Sequence, residues 1–244
     1  SVWYDKNGNL LSKINYKDDI IHGVVEIFHE NGQLEREEKY KDGKQVGFGK
    51  WYDENGLFLF KGNLKDDKQE GLWETFNEDG SLHKTQTFKN GKLNGLVENY
   101  YPNGQLEYKG YYKDVNYKGY YKDVNKEGLW EYFDEDGSLQ RTENYKNGKK
   151  YGFEKIYYKN GNLEVIINYQ NETVLGYHEN GQLRIKGYFR EDNNDGLWED
   201  YHKNGQLWTK GNYKDGKKNG LWETFNEDGT LEKTETYRNG KVLE

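Results

Sequence analysis

The segment GLWETFNEDG at residues 71–80 returns letter for letter at residues 220–229, and a close copy, GLWEYFDEDG, lies at residues 128–137. An Asn-Gly or Asp-Gly pair marks each copy and each weaker one, with its glycine at Gly8, Gly32, Gly56, Gly80, Gly104, Gly137, Gly161, Gly181, Gly205 and Gly229. Seven of the nine intervals are 24 residues, and the other two are 33 and 20. Because a fixed period is typical of units that pack on their neighbours, we predict one repeat array of ten units over residues 1–244.

The apolar positions of the unit predict β-strands. An aromatic residue lies four residues before the turn glycine in every unit, and leucine lies two residues after it in all units but one, which has Phe58. Six residues further on comes another aromatic, as at Phe88, with Leu64 as an exception. These even offsets are typical of half-buried strands, and the Asn-Gly pairs between them predict type I′ hairpin turns.

A second turn signal follows eleven residues after several of the turn glycines, as in Asn90-Gly91-Lys92. Turns this frequent leave no room for helices of ordinary length. We therefore predict an all-β fold, an elongated antiparallel open meander or solenoid of about ten β-hairpins and about twenty short strands, twisted because neighbouring strands rotate relative to one another.

The two irregular intervals predict local departures from the array. The nine residues YKGYYKDVN at 108–116 are repeated at 117–125, so residues 108–125 hold a tandem duplication. An odd insertion within a strand would reverse the faces of all later side chains, so we expect the extra residues to loop out near Asp114 to Asn125. The shortened unit at 162–181 lacks the Gly-Lys turn, and we predict a tighter turn at Gln170-Asn171-Glu172.

The tryptophans are the candidate ligand-binding residues. Four of them lie three residues before the strand aromatic, an odd offset that places them on the opposite face unless a bulge at the preceding glycine reorients them. Periodic aromatics can bind a peptide strand, a glycan or a partner protein. The favoured interpretation is that they form the core, because a chain with 32% hydrophobic residues has little else to bury. The row consists of Trp51, Trp73, Trp130, Trp198 and Trp222.

The unit G-x-W-x-x-Y/F-x-x-N/D-G-x-L, followed by an aromatic and a Gly-Lys turn, resembles the bacterial variant of the MORN repeat over essentially the whole chain. Gly49 and Glu154 stand where the motif places tryptophan. The resemblance implies a β-hairpin array with a non-catalytic, interaction-type role. Proteins with this repeat often carry a label as antitoxin components of toxin–antitoxin systems, and other MORN-repeat proteins act as scaffolds or are linked to membranes.

No pattern in the sequence indicates catalysis. The histidines show no metal-ligand spacing, and we expect them to be solvated strand or turn residues. The glutamates after the tryptophans recur once per unit, as on a solvated strand face, and the Gly-Lys pairs lack the Ser or Thr of a phosphate-binding loop. With no cysteine in the chain there is no disulfide, no Cys-based zinc site and no thiol nucleophile. From the absence of all these patterns we predict no metal site, no cofactor and no enzymatic activity. The five histidines are His22, His29, His83, His178 and His202.

Charge limits the partners. The net charge of -7, with both signs interspersed, disfavours nucleic acid and anionic membrane, and no apolar run suits direct membrane insertion. We therefore expect another protein as partner, and end-to-end self-association through exposed edge strands. The chain contains no methionine, so we expect the native N-terminus to lie outside it. The compartment stays open, with the bacterial cell envelope or secretion slightly favoured over the cytoplasm.

The leading hypothesis is a non-enzymatic scaffold for protein–protein interaction, with the cell envelope as its location. The first alternative is an antitoxin-like inhibitor that binds and neutralises a partner toxin. A second alternative is a carbohydrate- or lipid-binding module that uses the Trp and Tyr rows.

Overall fold

The computed structural model describes residues 1–115 and 125–243. Within them it contains 21 β-strands and no helix, which confirms the all-β prediction. The predicted loop near Asp114 to Asn125 falls almost wholly on residues 116–124, which lie outside the described residues. The strands are β1 (Val2–Tyr4), β2 (Leu10–Lys17), β3 (Ile20–Phe28), β4 (Leu34–Lys41), β5 (Lys44–Tyr52), β6 (Phe58–Lys65), β7 (Lys68–Phe76), β8 (Leu82–Lys89), β9 (Lys92–Tyr100), β10 (Leu106–Val115), β11 (Lys126–Phe133), β12 (Leu139–Lys146), β13 (Lys149–Tyr157), β14 (Leu163–Asn168), β15 (Thr173–Tyr177), β16 (Leu183–Arg190), β17 (Asn193–Tyr201), β18 (Leu207–Lys214), β19 (Lys217–Phe225), β20 (Leu231–Arg238) and β21 (Lys241–Val242).

The chain divides into two compact units. Unit one comprises residues 1–128 with 135–137, and unit two comprises residues 129–134 with 138–244. In unit one each strand from β1 to β10 pairs antiparallel with the next in sequence. In unit two the strands from β12 to β21 pair in the same way. Each unit is therefore a meander of hairpins, as the repeat predicts.

The two turns of a repeat have different geometries. Between β8 and β9 the turn residues Asn90 and Gly91 have φ of 51° and 77°, and a type I′ turn needs positive φ at both of its central residues. Between β7 and β8 the loop 77–81 is longer, and only Gly80 has positive φ. The Gly80 N–H donates to Asn77 O at 2.9 Å. The type I′ prediction was therefore wrong for the first turn, which is a five-residue loop with a left-handed glycine, and it describes the second turn instead.

The regular repeats among the described residues also contain two register shifts each. On β7, Trp73 pairs with Gly62 and Glu70 pairs with Asn63, so the two intervening residues bulge at Gly71, whose φ is 71°. The second register shift follows the five-residue loop and consists of one extra residue, Leu59, because Tyr52 pairs with Phe58 and Trp51 with Phe60. A single extra residue reverses the faces of the side chains that follow it.

Because of these shifts the even offsets do not mark one buried face. The Phe58 ring lies 5.6 Å from the Phe76 ring on one face of unit one. Leu64, six residues after Phe58, lies on the other face, where it borders Gly49 and is buried. The prediction that the leucine after the turn and the later aromatic share a face was therefore wrong, since the bulge at Leu59 separates them.

We call the side of each unit that carries the turn aromatics and the leucines after the turn the ladder face. We call the opposite side, which carries the tryptophans and the later aromatics, the tryptophan face. Most of the buried apolar residues lie on the tryptophan face, among them Trp73, Phe88 and Val97 in unit one and Trp222 in unit two. The hydrophobic core of each unit is therefore one-sided.

The shortened repeat differs from the others at its second turn. β14 ends at Asn168 and β15 begins at Thr173, so the turn has four residues and is longer than the usual two, contrary to the prediction of a tighter turn. The Asn168 Oδ1 accepts from Gln170 N at 2.9 Å and holds the turn. The pairing of β14 with β15 runs without a register shift, because the residues that form the glycine bulge elsewhere are missing.

Candidate interaction surfaces

Each of three tryptophans lies over a glycine on the preceding strand. A Cβ at Gly62 would overlap the ring of Trp73, and the Nε1 of Trp73 donates to Asn63 O at 3.0 Å. The backbone angles of Gly62 are ordinary, so the position requires glycine because the ring takes the space of a side chain. The same arrangement joins Trp198 to Gly187, with a bond to Tyr188 O of 2.8 Å, and Trp222 to Gly211, with a bond to Asn212 O of 3.2 Å.

The predicted tryptophan row is mostly internal. Trp73, Trp130 and Trp222 are 6%, 1% and 3% exposed, and Trp51 and Trp198 are half-buried. Trp51 stands one residue before the strand aromatic instead of three, and its ring covers Gly49, where the repeat has no tryptophan. Because the turn aromatics occupy the ladder face, both faces carry rings. Ligand binding by these five tryptophans stays a prediction.

The rings of the tryptophan face form a stack in each unit. In unit one the centroid of Trp51 lies 4.8 Å from that of Phe60 and 5.5 Å from that of Trp73, and Trp73 meets Phe88 edge-on at 6.4 Å. In unit two the successive centroid distances are 5.8, 5.1 and 6.3 Å, along Trp198, Tyr213, Trp222 and Tyr237. Aromatic pairs at such distances stabilise the fold beyond the burial of the rings, so these contacts link each hairpin to the next.

The recurring glutamates face lysines across the strands. Lys61 Nζ lies 3.3 Å from Glu74 Oε2 and 4.9 Å from the ring centroids of both Phe58 and Phe76. The matching distances for Lys186–Glu199 and Lys210–Glu223 are 3.6 and 2.9 Å. These groups are partly exposed, so each pair stabilises the fold little. The charges of these pairs cancel within each pair.

The ladder face also carries a row of exposed apolar residues that the sequence reasoning missed. Each follows a bulge glycine, as Leu72 follows Gly71, and its relative exposure is between 42% and 54%. The sequence signal is the apolar residue between the bulge glycine and the tryptophan position. We call these residues the apolar row: Val24, Phe48 and Leu72 in unit one, and Leu129, Phe153, Leu197 and Leu221 in unit two.

Side chains of the five-residue loops reach the neighbouring loop. His29 Nε2 lies 3.1 Å from Tyr52 O, and Asn31 Nδ2 donates to Glu54 O at 2.6 Å. In unit two, His178 and His202 make the same contact at 3.0 Å with Tyr201 O and Phe225 O. These three histidines are half-buried and hydrogen-bonded, so the prediction that they are solvated was wrong. Their Nε2 atoms are used structurally.

A buried polar cluster replaces the tryptophan and glycine in one repeat. Glu154 occupies the tryptophan position and pairs across the strands with Glu143, and the two are 6% and 4% exposed. Lys150 Nζ lies 2.7 Å from Glu154 and 3.1 Å from Glu143. Tyr145 OH donates to Glu143 at 2.9 Å, and Tyr169 OH donates to Glu154 at 2.6 Å. This accounts for the departure of Glu154 from the repeat.

The cluster shifts the pKa values of its members. Burial alone would raise the pKa of Glu143, but hydrogen bonds from Lys150, Tyr132 and Tyr145 outweigh it and lower the pKa below its ordinary value of 4.5. Burial and the adjacent carboxylates raise the pKa of Tyr145 and of Tyr169 to about 12. Since every group is held by a partner, the cluster is suited to fixing the fold.

The described residues contain neither a candidate metal site nor a helix that could cross a membrane. No group of three or more His, Asp or Glu side chains is placed to hold a metal ion. No helix in the described part of the chain is long and apolar enough to cross a membrane.

The comparisons identify the repeat. The family described as MORN repeat variant matches residues 1–18, 21–42, 69–90, 93–114, 126–147, 152–171, 173–191, 194–215 and 218–239, which is more than half of the chain. Residues 43–68 fall outside these matches; they include Gly49, Phe58 and Leu64, yet form β5 and β6 with the same pairing. Among curated proteins, none matches the sequence of this chain closely enough to count as a relative.

The solved structures that this chain resembles superpose on it only poorly. One is the crystal structure of TcdB2-TccC3-Cdc42, at 14% identity, covering 97% of this chain and 13% of that chain with a TM-score of 0.24. Another is the Photorhabdus luminescens Tc holotoxin pore, at 10% identity, covering 95% of this chain and 15% of that chain with a TM-score of 0.20. This chain thus spans less than a fifth of the length of either of those chains.

Proposed function

This chain belongs to the MORN repeat variant family, and on that basis we propose that it is a non-catalytic scaffold that binds another protein through the apolar row. Repeats of this family are commonly protein- or membrane-interaction modules. The observation that supports the proposal is the recurrence of an exposed apolar side chain after seven bulge glycines of the described repeats, because single exposed apolar residues are ordinary but a row of them favours a binding surface.

The geometry of the row limits the partner. Val24, Phe48 and Leu72 lie on every second strand of unit one, as do Leu197 and Leu221 in unit two, so these neighbours are about 10 Å apart at the usual spacing of strands. Polar residues of the intervening strands separate them, as Thr87 does beside Leu72, to which it is paired. A partner segment that crosses the strands and presents an apolar side chain at the same interval fits this surface.

Charge favours a protein over a lipid surface. The lysines and glutamates beside the row pair with each other, as Lys61 does with Glu74 at 3.3 Å, so they leave little net charge to select an anionic surface. The chain as a whole carries a net charge of -7, which repels anionic lipid. A neutral, amphipathic protein segment meets neither obstacle.

Site-specific crosslinking tests the proposal. A photo-crosslinking amino acid is placed at position 72 or 221, and as a control at position 231, where Leu231 is equally exposed on the ladder face but outside the row. We expect a protein crosslinked from 72 and 221 and not from 231. That protein, purified, should bind Leu72→Ser and Leu221→Ser variants at least about tenfold more weakly than the parent and the Leu231→Ser control. Equal binding by all four proteins would contradict the use of this row.

A further inference from the structure

A polar cleft with aromatic walls lies on the tryptophan face of unit two, on β17 to β20. Its volume is about 520 Å³, which is in the range of small-molecule sites. Its floor is a row of residues paired across adjacent strands: Asp200 with Thr209, Thr209 with Thr224, and Thr224 with Lys233. Aromatic side chains border this floor, among them Trp222 and Trp208. Four strands therefore place hydrogen-bonding groups in one line.

The carboxylate of Asp200 has unused hydrogen-bonding capacity. Burial raises the pKa of Asp200, and the charges of Lys218 and Arg184 offset this only in part. Among the described residues this carboxylate makes no hydrogen bond and no ion pair, and the hydroxyls of Thr209 and Thr224 make no hydrogen bond either. Water in the open cleft reaches these oxygens, and the hydroxyl groups of a ligand can take the place of that water.

Trp208 supplies a ring for stacking. It is the extra residue of a bulge, because Asp200 pairs with Thr209 and Tyr201 with Leu207. Its side chain lines the cleft and is 50% exposed, unlike the buried tryptophans of the repeat, and its ring lies 6.0 Å from that of His202. A planar apolar surface beside unsatisfied oxygens is thus available to a ligand.

The charges of the cleft nearly balance. Asp200, Glu232 and Glu235 line it together with Lys218 and Lys233, and Lys233 Nζ lies 3.3 Å from Glu235. Lys218 Nζ already lies 4.0 Å from the Trp222 ring centroid, where a cationic ligand would bind. A neutral ligand with many hydroxyl groups can use both the acceptors and the donors.

We propose that this cleft binds a neutral oligosaccharide. A sugar ring stacks on Trp208, and the sugar hydroxyls donate to the Asp200 carboxylate and exchange hydrogen bonds with Thr209 and Thr224. This site is on the opposite face from the apolar row, so it adds a ligand class to the proposed scaffold and does not depend on the protein partner.

Tryptophan fluorescence titration of the full chain tests the proposal. The probes are cellohexaose, maltohexaose and chitohexaose, with choline and inorganic phosphate as charged comparisons. We expect at least one hexasaccharide to bind, and its affinity to fall about tenfold or more in Asp200→Ala and in Trp208→Ala, as loss of a hydrogen bond to a charged group or of a stacking ring predicts. Trp3→Ala, which removes another exposed tryptophan, in unit one, should leave the affinity unchanged.

Further variants separate a binding effect from a folding effect. Asp200→Asn keeps an acceptor oxygen, so it should lose less affinity than Asp200→Ala while unfolding at the same or a higher temperature. Leu221→Ser, on the ladder face, should bind the sugar as the parent does, so failure of the protein-binding proposal would not mimic failure of this one. The proposal is overturned if no hexasaccharide binds at millimolar concentration, if choline or phosphate binds in its place, or if Asp200→Ala and Trp208→Ala bind like the parent.

Discussion

The ring of Trp222 lies over the backbone of Gly211 on the neighbouring strand, and its Nε1 donates to the carbonyl of Asn212 at 3.2 Å. The ring fills the space that a side chain at the glycine would take, and the residue after the glycine supplies the carbonyl acceptor of the ring nitrogen. The same pairing recurs at Trp73 and at Trp198. It is the contact that defines the core of the repeat.

Gly211→Ala should lower the free energy of unfolding by about 1–3 kcal/mol, the usual cost of overpacking a core. The added Cβ would overlap the ring of Trp222, so the ring must move and its hydrogen bond must weaken. Urea unfolding measures the change. In a double-mutant cycle, Trp222→Val should cost at least about 1 kcal/mol less in the Gly211→Ala background than in the parent. Additive effects would show that the two residues are not coupled.

Trp73→Ala should lower the free energy of unfolding by about 3–5 kcal/mol, because it removes a large buried ring. Trp3→Ala is the matched control, since Trp3 is 58% exposed, and it should change stability by less than about 1 kcal/mol. Urea unfolding gives both values. The emission of Trp3 and of Trp73 is the difference between the parent and the respective variant, and acrylamide should quench that of the exposed Trp3 more readily. Similar stability losses in the two variants would argue against a core role for Trp73.

Asn204→Asp should lower the free energy of unfolding by about 1 kcal/mol. The new carboxylate still accepts from Gln206 N, but the Nδ2 bond to Glu227 O in the next loop, at 2.8 Å, is lost. Asn160→Asp is the control with the same change of charge. Asn160 only accepts, from Asn162 N at 2.9 Å, so its replacement should be close to neutral in thermal and urea unfolding. Equal losses at the two sites would remove the link between loops as the cause.

The buried Glu143 should make unit two sensitive to acid. Because its folded-state pKa is lowered, the ionised carboxylate stabilises the fold above its ordinary value of 4.5, and this contribution is lost as the pH falls through the folded pKa. Glu143→Gln should be less stable than the parent at pH 7, and its stability should fall less between pH 7 and pH 3. Urea midpoints across that range measure this. Glu78→Gln, at an exposed loop residue, should keep the parent's pH dependence, whereas an unchanged slope in Glu143→Gln would contradict the assignment.

The sequence was sufficient for the repeat, the all-β class and the hairpin connectivity, because turn signals and apolar positions recur at a fixed period. It could not assign the faces. A single extra residue, such as Leu59 after the loop, reverses all later side chains without altering the spacing that the sequence shows. The type I′ turn was assigned to the wrong turn of the repeat for a related reason. An Asn-Gly pair suits both turns, and only the length of the loop distinguishes them.

The contact between tryptophan and glycine did have a sequence signal that the reasoning did not use. Gly62, Gly187 and Gly211 each precede their tryptophan by eleven residues, and where Glu143 replaces the glycine, Glu154 replaces the tryptophan. The sequence could not predict that the side chain of Leu72 is exposed or that the carboxylate of Asp200 has no protein partner, because both depend on the neighbouring strands.

The hydrogen bonds between loops give adjacent hairpins unequal tendencies to open. The loops that begin at His178 and His202 each donate to the next loop, so neighbouring hairpins of unit two share their opening cost. In unit one, the loop 53–57 accepts a hydrogen bond from Asn31 of the preceding loop, whereas the loop 77–81 closes on itself through Asn77 and, among the described residues, exchanges no hydrogen bond with the loop on either side. We therefore expect the amide hydrogens of the loop 77–81 to exchange with solvent before those of the linked loops.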